Sequence, residues 1–364
     1  MLSHLDKGWK TIQNDGLKVF LIRMKDFSIV KLKRAFRPRD KKNILKWQGI
    51  KDEYKGKRIF LIGNGPSLNR MPLYLLKDEY TMCFNRFNLM FERLNFIPDF
   101  YVVVDDLVIR DNYKEMNREI LPVMKYAFFP DIHPSNLEVT NYIDNRDNVF
   151  WYNADKPAFS IDLPKCGINK TVVNAGLQIA AHMGFTEIYL IGVDMTFSDQ
   201  HVKKITSRNW EAKEDDPNHF DPRYFQKGKK YHNPTVHEMI EKFETAKKFF
   251  DKLGVKIYNA GMGGKLEVFP RVEFTSLFIA DKQKTEQALD AYSALKKSNI
   301  SFKYIQEQAK ELNGTAFPPL FKTSLEKGAA LMPGLIQQYI PIGPFEDTYY
   351  FIQRDHLILN NGKK

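Results

Sequence analysis

The stretch RIFLIGNGPSL, residues 58–68, narrows the fold class further than any other part of the chain. Ile59 to Ile62 is apolar without alternation, the pattern of a strand buried on both faces in a parallel sheet, and Gly63-Asn64-Gly65 ends it abruptly. The turn is not a P-loop, because no GK[ST] follows. It is also an incomplete dinucleotide fingerprint, because Leu68 stands where the third glycine would be. Pro66 removes one amide donor. What remains is a glycine-rich strand-to-helix turn with Gly65 and Ser67 as caps and Asn64 as both donor and acceptor. At the carboxyl end of a first strand, such a turn is where α/β sheets bind ligands and where helix N-termini attract phosphate. An anionic group is expected there, although the motif read alone fits a structural turn equally well.

Downstream, apolar runs alternate with helical patterns, which predicts an α/β fold with a mostly parallel sheet. Strands are expected at Arg58–Ile62, Thr81–Phe84, Phe100–Val104, Tyr126–Phe129, Glu187–Ile191 and Val255–Tyr258. One helix, Val172–Met183, is apolar nearly all round and ends at Gly184, so it should lie buried against the sheet. A second is expected to take Asn233 as N-cap and Pro234 as its first residue, and to repeat apolar residues from Val236 to Leu253. Between them lies a long polar stretch, about 195–232, expected to form a lid. From residue 279 the pattern turns helical (281–298, 302–314), then irregular around Pro318, Pro333, Pro341 and Pro344. The expected division is therefore a basic arm (1–54), a catalytic α/β domain (55–278) and a helical or irregular C-terminal region (279–364).

The net charge of +11 is carried by residues 1–58, which hold 17 Lys and Arg against 6 Asp and Glu, while the remainder holds 38 of each sign. Apolar residues interleave with these charges between Gly16 and Lys42, so the arm suits an anionic membrane surface. It equally suits a helix packed on its own domain or on a sister subunit, which leaves a homo-oligomer open. No nucleic-acid motif accompanies the charge, and no nucleic-acid partner is expected. No run reaches the length of a membrane span, and no secretory signal is evident at the N-terminus, so a cytoplasmic, peripheral location is expected. Cys83 and Cys166 form neither a disulfide framework nor a zinc motif.

Other strand ends carry polar residues too. Asn85 follows the second strand, Asp105 and Asp106 the third, and Asp194 a later one. Each has a structural reading as a helix cap. Together they point to a ligand cleft along one edge of the sheet.

IFLIGNGPSL, the NRF after the second strand, GINKTVVNAGLQIAAHMGFTEIYLIGVD and a histidine-bearing lid resemble the bacterial sialyltransferases that use CMP-activated sialic acid. They also resemble a related group that includes motility accessory factors and 6-hydroxymethylpterin diphosphokinase MptE-like proteins. The resemblance covers about Lys55 to Phe274. It implies a Rossmann-like domain of variant GT-A type and inverting sugar transfer that needs no metal or other cofactor. By the same resemblance, Asn64 and Ser67 meet the nucleotide phosphate and ribose, Asn85 the cytidine or sugar, and Thr171 the donor sugar. Asp105 stands where the sialyltransferases have an asparagine, and Thr196 where they have a tyrosine. The lid run NHFDPRYF offers His219 as the first expectation for the catalytic base, with Tyr224 beside the departing phosphate, and His232 as the runner-up. The helix start after His232 is expected to keep that residue neutral. The expected partners are a nucleotide-sugar donor and a surface-glycan or lipid-linked acceptor. Two other readings stay open: a diphosphoryl transferase using ATP, with magnesium on Asp105 and Asp106, and a non-catalytic nucleotide-binding scaffold.

Overall fold

The computed structural model describes residues 41–274 except 72, 95, 155–157, 207 and 208, three strands between 320 and 353, and the isolated positions 17, 28, 32 and 277. Most of the basic arm, and both C-terminal stretches read as helical, lie outside the described residues.

Seven strands form a fully parallel sheet: β1 (Arg58–Ile62), β2 (Tyr80–Phe84), β3 (Phe100–Val102), β4 (Tyr126–Pro130), β5 (Val149–Tyr152), β6 (Glu187–Ile191) and β10 (Lys256–Asn259). Their order is β10-β6-β1-β2-β3-β4-β5. The chain therefore runs from β1 outward to β5, returns to β6 on the other side of β1, and finishes at β10. This is a Rossmann-like arrangement, as expected.

Strand residues alternate between two cores. Ile59 and Leu61 face α1 (Lys41–Ile50), α3 (Val172–His182) and α4 (Val236–Asp251), joining Trp47, Leu177 and Phe243. Phe60 and Ile62 face the 3-10 helix Pro66–Arg70 and α2 (Asp106–Glu115), joining Leu68, Val108 and Ile109. Burial on both faces explains why β1 and β6 read as unbroken apolar runs.

β5 was not expected. Its outer edge is closed by α1: the Asn43 side chain donates to the Trp151 carbonyl (2.8 Å) and accepts from the Trp151 amide (3.0 Å), while Trp47 Nε1 donates to the same carbonyl (3.0 Å). Residues 41–54, read as the end of the arm, thus pack onto the sheet and protect an edge that would otherwise be open to pairing.

α3 closely matches its expected span. α4 starts later than expected, with Thr235 in the N-cap position and no side-chain cap bond. The reason is local: a strand at Lys230–His232 holds extended backbone up to His232, and a residue before proline is biased away from the helical region.

The lid contains a three-stranded antiparallel sheet, β7 (Val202–Lys204), β8 (Asn209–Ala212) and β9 (Lys230–His232), in the order β7-β8-β9. Strands this short leave almost no periodicity to read. The proline-rich stretch read as irregular contains β11 (Leu320–Ser324), β12 (Tyr339–Phe345) and β13 (Thr348–Gln353), an antiparallel sheet in the order β11-β13-β12. Pro341 and Pro344 lie in the edge strand β12, where a missing amide is tolerated. Among the described residues no helix is long and apolar enough to cross a membrane.

Candidate functional site

The reversal of strand order beside β1 creates a crevice at the carboxyl ends of β1 and β6. The two turns there touch. Gly63 N donates to Ile191 O and Gly65 N to Gly192 O, both at 2.8 Å. A Cβ on Gly63 would overlap the Gly192 carbonyl oxygen, and one on Gly65 would overlap the Asp194 carboxylate. Asp194 accepts from Ser67 N (2.9 Å) and Ser67 Oγ (2.5 Å), so it caps the 3-10 helix. Ser67 is 2% exposed and does not line the cleft. The phosphate contact the resemblance implies for Ser67 is corrected here: the partner of that hydroxyl is Asp194.

A cleft of about 770 Å³ opens over these turns, lined by Gly63, Asn64, Gly65, Asn85, Asp105, Thr171, Asp194, His219, Tyr224 and His232. The structure thus brings together every site residue expected from the sequence except Ser67.

On the sheet side, Asn64 Nδ2 donates to Phe84 O (3.2 Å), and its buried Oδ1 has no partner. Asn85, held at φ 51°, likewise has a buried Oδ1 without a partner. Each side chain therefore has an acceptor oxygen to spare, and each amide nitrogen carries two N–H donors, so both can meet a ligand hydroxyl or amino group as well as an anionic oxygen. A second group of polar atoms on the cleft wall lies at the start of α3, where Thr171 accepts from Val173 N and the flanking Lys170 (φ 70°) forms an ion pair with Glu238 of α4.

Asp105 and Asp106, adjacent in sequence, differ in state. Asp105 caps α2 through Leu107 N (2.8 Å) and Val108 N (3.1 Å), and burial raises its pKa. For Asp106, burial works in the same direction. Hydrogen bonds from His232 Nε2 (3.1 Å) and Ser135 Oγ (2.9 Å), with His133 nearby at 3.7 Å, outweigh it and hold the carboxyl at about 2. A carboxyl depressed below its unfolded value of about 3.9 contributes stability that is present above that value and lost as pH falls through the folded one. Asp106→Asn is accordingly expected to lower stability near neutrality by about 2 kcal/mol, with the difference from the unmodified protein shrinking between about pH 4 and pH 2. Urea titrations at several pH values measure this, and a pH-independent difference would contradict it.

The lid contributes a second carboxylate–histidine pair. His219 Nδ1 meets Asp216 Oδ2 at 2.6 Å, and its ring stacks on Tyr224 at 3.8 Å between centroids, with Phe197 and Phe225 edge-on. Its side chain is 14% exposed, whereas that of His232 is 45% exposed. Tyr224 is buried, and burial raises its pKa. Its ring carries the His219 stack, and Tyr224 lines the cleft beside Asn85. His232 bonds through Nε2 to Asp106, with Nδ1 at 3.2 Å from Asn209 Oδ1.

Sequence reasoning missed His133, Ser135 and Asp216. The first two follow β4, so the strand-end rule used elsewhere would have found them. Asp216 stands three residues before His219, a short-range signal also present in the sequence.

A parallel sheet with a polar cleft at its switch point places this chain among Rossmann-like α/β proteins. More narrowly, residues 39–200 match the family model described as 6-hydroxymethylpterin diphosphokinase MptE-like, so this segment is similar to that family, as its motifs suggest. The match spans α1 to β6 and stops before the lid sheet. No curated protein matches the chain.

Proposed function

We propose that the chain is a transferase that moves a sugar from a nucleotide-activated donor to a hydroxyl of a glycan or lipid-linked acceptor, with inversion. The observation that carries this reading is His232, held on the cleft wall by the buried carboxylate Asp106. The acceptor hydroxyl takes the place of Asn209 at Nδ1 and gives its proton to that nitrogen as its oxygen attacks the anomeric carbon. Asp106 fixes the ring and stabilises the imidazolium that forms. The sugar–phosphate bond breaks, and the nucleotide leaves with its phosphate against the amides at the start of α3, near Lys170. Asn64 and Asn85 accept hydrogen bonds from donor hydroxyl or amino groups.

Charge supports a sugar nucleotide over a triphosphate. Five carboxylates line the cleft (Asp105, Asp106, Asp194, Asp216 and Glu238) against one lysine, Lys170. A nucleotide sugar, which carries fewer phosphate charges than ATP, tolerates that environment better.

One observation favours diphosphoryl transfer instead, the chemistry in the MptE-like description. Ligand atoms of Asp105, Asp106 and His232 lie within 4.8 Å of one another. In that reading the two aspartates hold a magnesium ion that screens the triphosphate. The fit is partial, because Asp105 Oδ1 already caps α2 and both Asp106 oxygens already accept hydrogen bonds.

Donor cleavage assays with CMP-sugars, other nucleotide sugars and ATP, each with and without magnesium, separate the two. Release of free sugar without magnesium is expected. Cleavage of ATP alone, and only with magnesium, would overturn the sugar-transfer reading.

A further inference from the structure

The lid sheet has one covered face and one open face, and the open face leads to His232. Val202, Trp210, Ala212 and Tyr231 are buried together on the covered side. The cross-strand register places Lys203, Glu211 and Lys230 in one row on the opposite side, with Asn209 and His232 in the adjoining row. Both lysines are exposed. Lys204 and Lys229 are tied to Asp199 and Asp111, whereas no described residue forms an ion pair with Lys203 or Lys230.

We infer that this open face is the acceptor platform, and that the acceptor is an acidic oligosaccharide running from His232 across Asn209, Glu211, Lys203 and Lys230. The inference rests on the sugar-transfer reading, which requires an acceptor hydroxyl at His232. Lys203 and Lys230 flank the central strand, their Cα atoms about 10 Å apart from the strand spacing. They pair with carboxylate or phosphate groups of successive sugars, while Glu211 and Asn209 take up hydroxyl donors. The alternation of cation, carboxylate and cation argues against a membrane, since Glu211 would be repelled by a continuous anionic surface. None of the five residues is apolar, so the face has nothing to insert into lipid.

The test is lysine footprinting of the full chain by acetylation and mass spectrometry. The probes are a galacturonic acid hexamer, neutral maltohexaose and phosphatidylglycerol vesicles. Labelling of Lys203 and Lys230 is expected to slow about tenfold with the acidic hexamer at about ten times its Kd, while Lys51 and Lys252 are unaffected. Maltohexaose and vesicles should leave all four rates unchanged. Unchanged labelling of Lys203 and Lys230 with the hexamer would overturn the inference, as would slowing by vesicles alone. Cleavage of nucleotide sugar is measured separately: cleavage without protection removes only the platform, and absence of cleavage removes the transferase reading itself.

Discussion

Replacing His232 with alanine is expected to lower transfer by about 10² to 10⁴-fold while leaving nucleotide-induced thermal stabilisation close to that of the unmodified protein. The reasoning is geometric. His232 is half exposed within the cleft and oriented by Asp106, whereas His219 is stacked on Tyr224 and enclosed by Phe197 and Phe225. His219→Ala should therefore act mainly on stability, through loss of the stack and of the bond to Asp216, and should reduce turnover far less. A collapse of turnover confined to His219→Ala would return the base to the lid pair and reject His232. The two variants need to be compared in donor affinity as well, because a residue that only orders the lid would change both quantities together.

The second large effect is expected at Gly65. Because a Cβ there would overlap the Asp194 carboxylate, even Gly65→Ala must push apart the turns after β1 and β6 and strain the two bonds from Ser67 to Asp194. Overpacking of this kind costs about 1–3 kcal/mol. The variant should melt at a lower temperature and lose nucleotide-induced stabilisation, since the displaced turn carries Asn64 out of place. Thermal unfolding with and without nucleotide measures both effects, and unaltered stability would show that the turns have room to separate.

Much of this architecture could be read from sequence because the informative signals were local. Arg58–Ile62 and Glu187–Ile191 were placed to the residue, each an apolar run ended by glycine. Val149–Tyr152 was missed because no glycine or proline marks its ends and the element that covers its edge, α1, lies more than a hundred residues upstream. The cleft was legible as a set of strand ends for the same local reason. The pairing of His232 with Asp106 was not. Asp106 and His232 are 126 residues apart, and only the return of β9 against α2 brings them together. Ser67 illustrates the reverse difficulty: its hydroxyl looked available in the sequence, but its partner, Asp194, arrives from another strand.

The attachment of the lid has a thermodynamic corollary. Phe220 N donates to Asn64 O (3.0 Å), Asn69 Nδ2 donates to Phe220 O (2.9 Å), and Arg86 Nη1 donates to the carbonyls of Arg223 (2.6 Å) and Tyr224 (2.7 Å). Segment 220–224 thus shares its backbone bonds with the turns after β1 and β2. By reciprocity, any ligand that steadies those turns must hold this segment down by the same free energy with which the closed segment tightens the ligand. The turns after β1 and β2 and this part of the lid therefore behave as one cooperative unit.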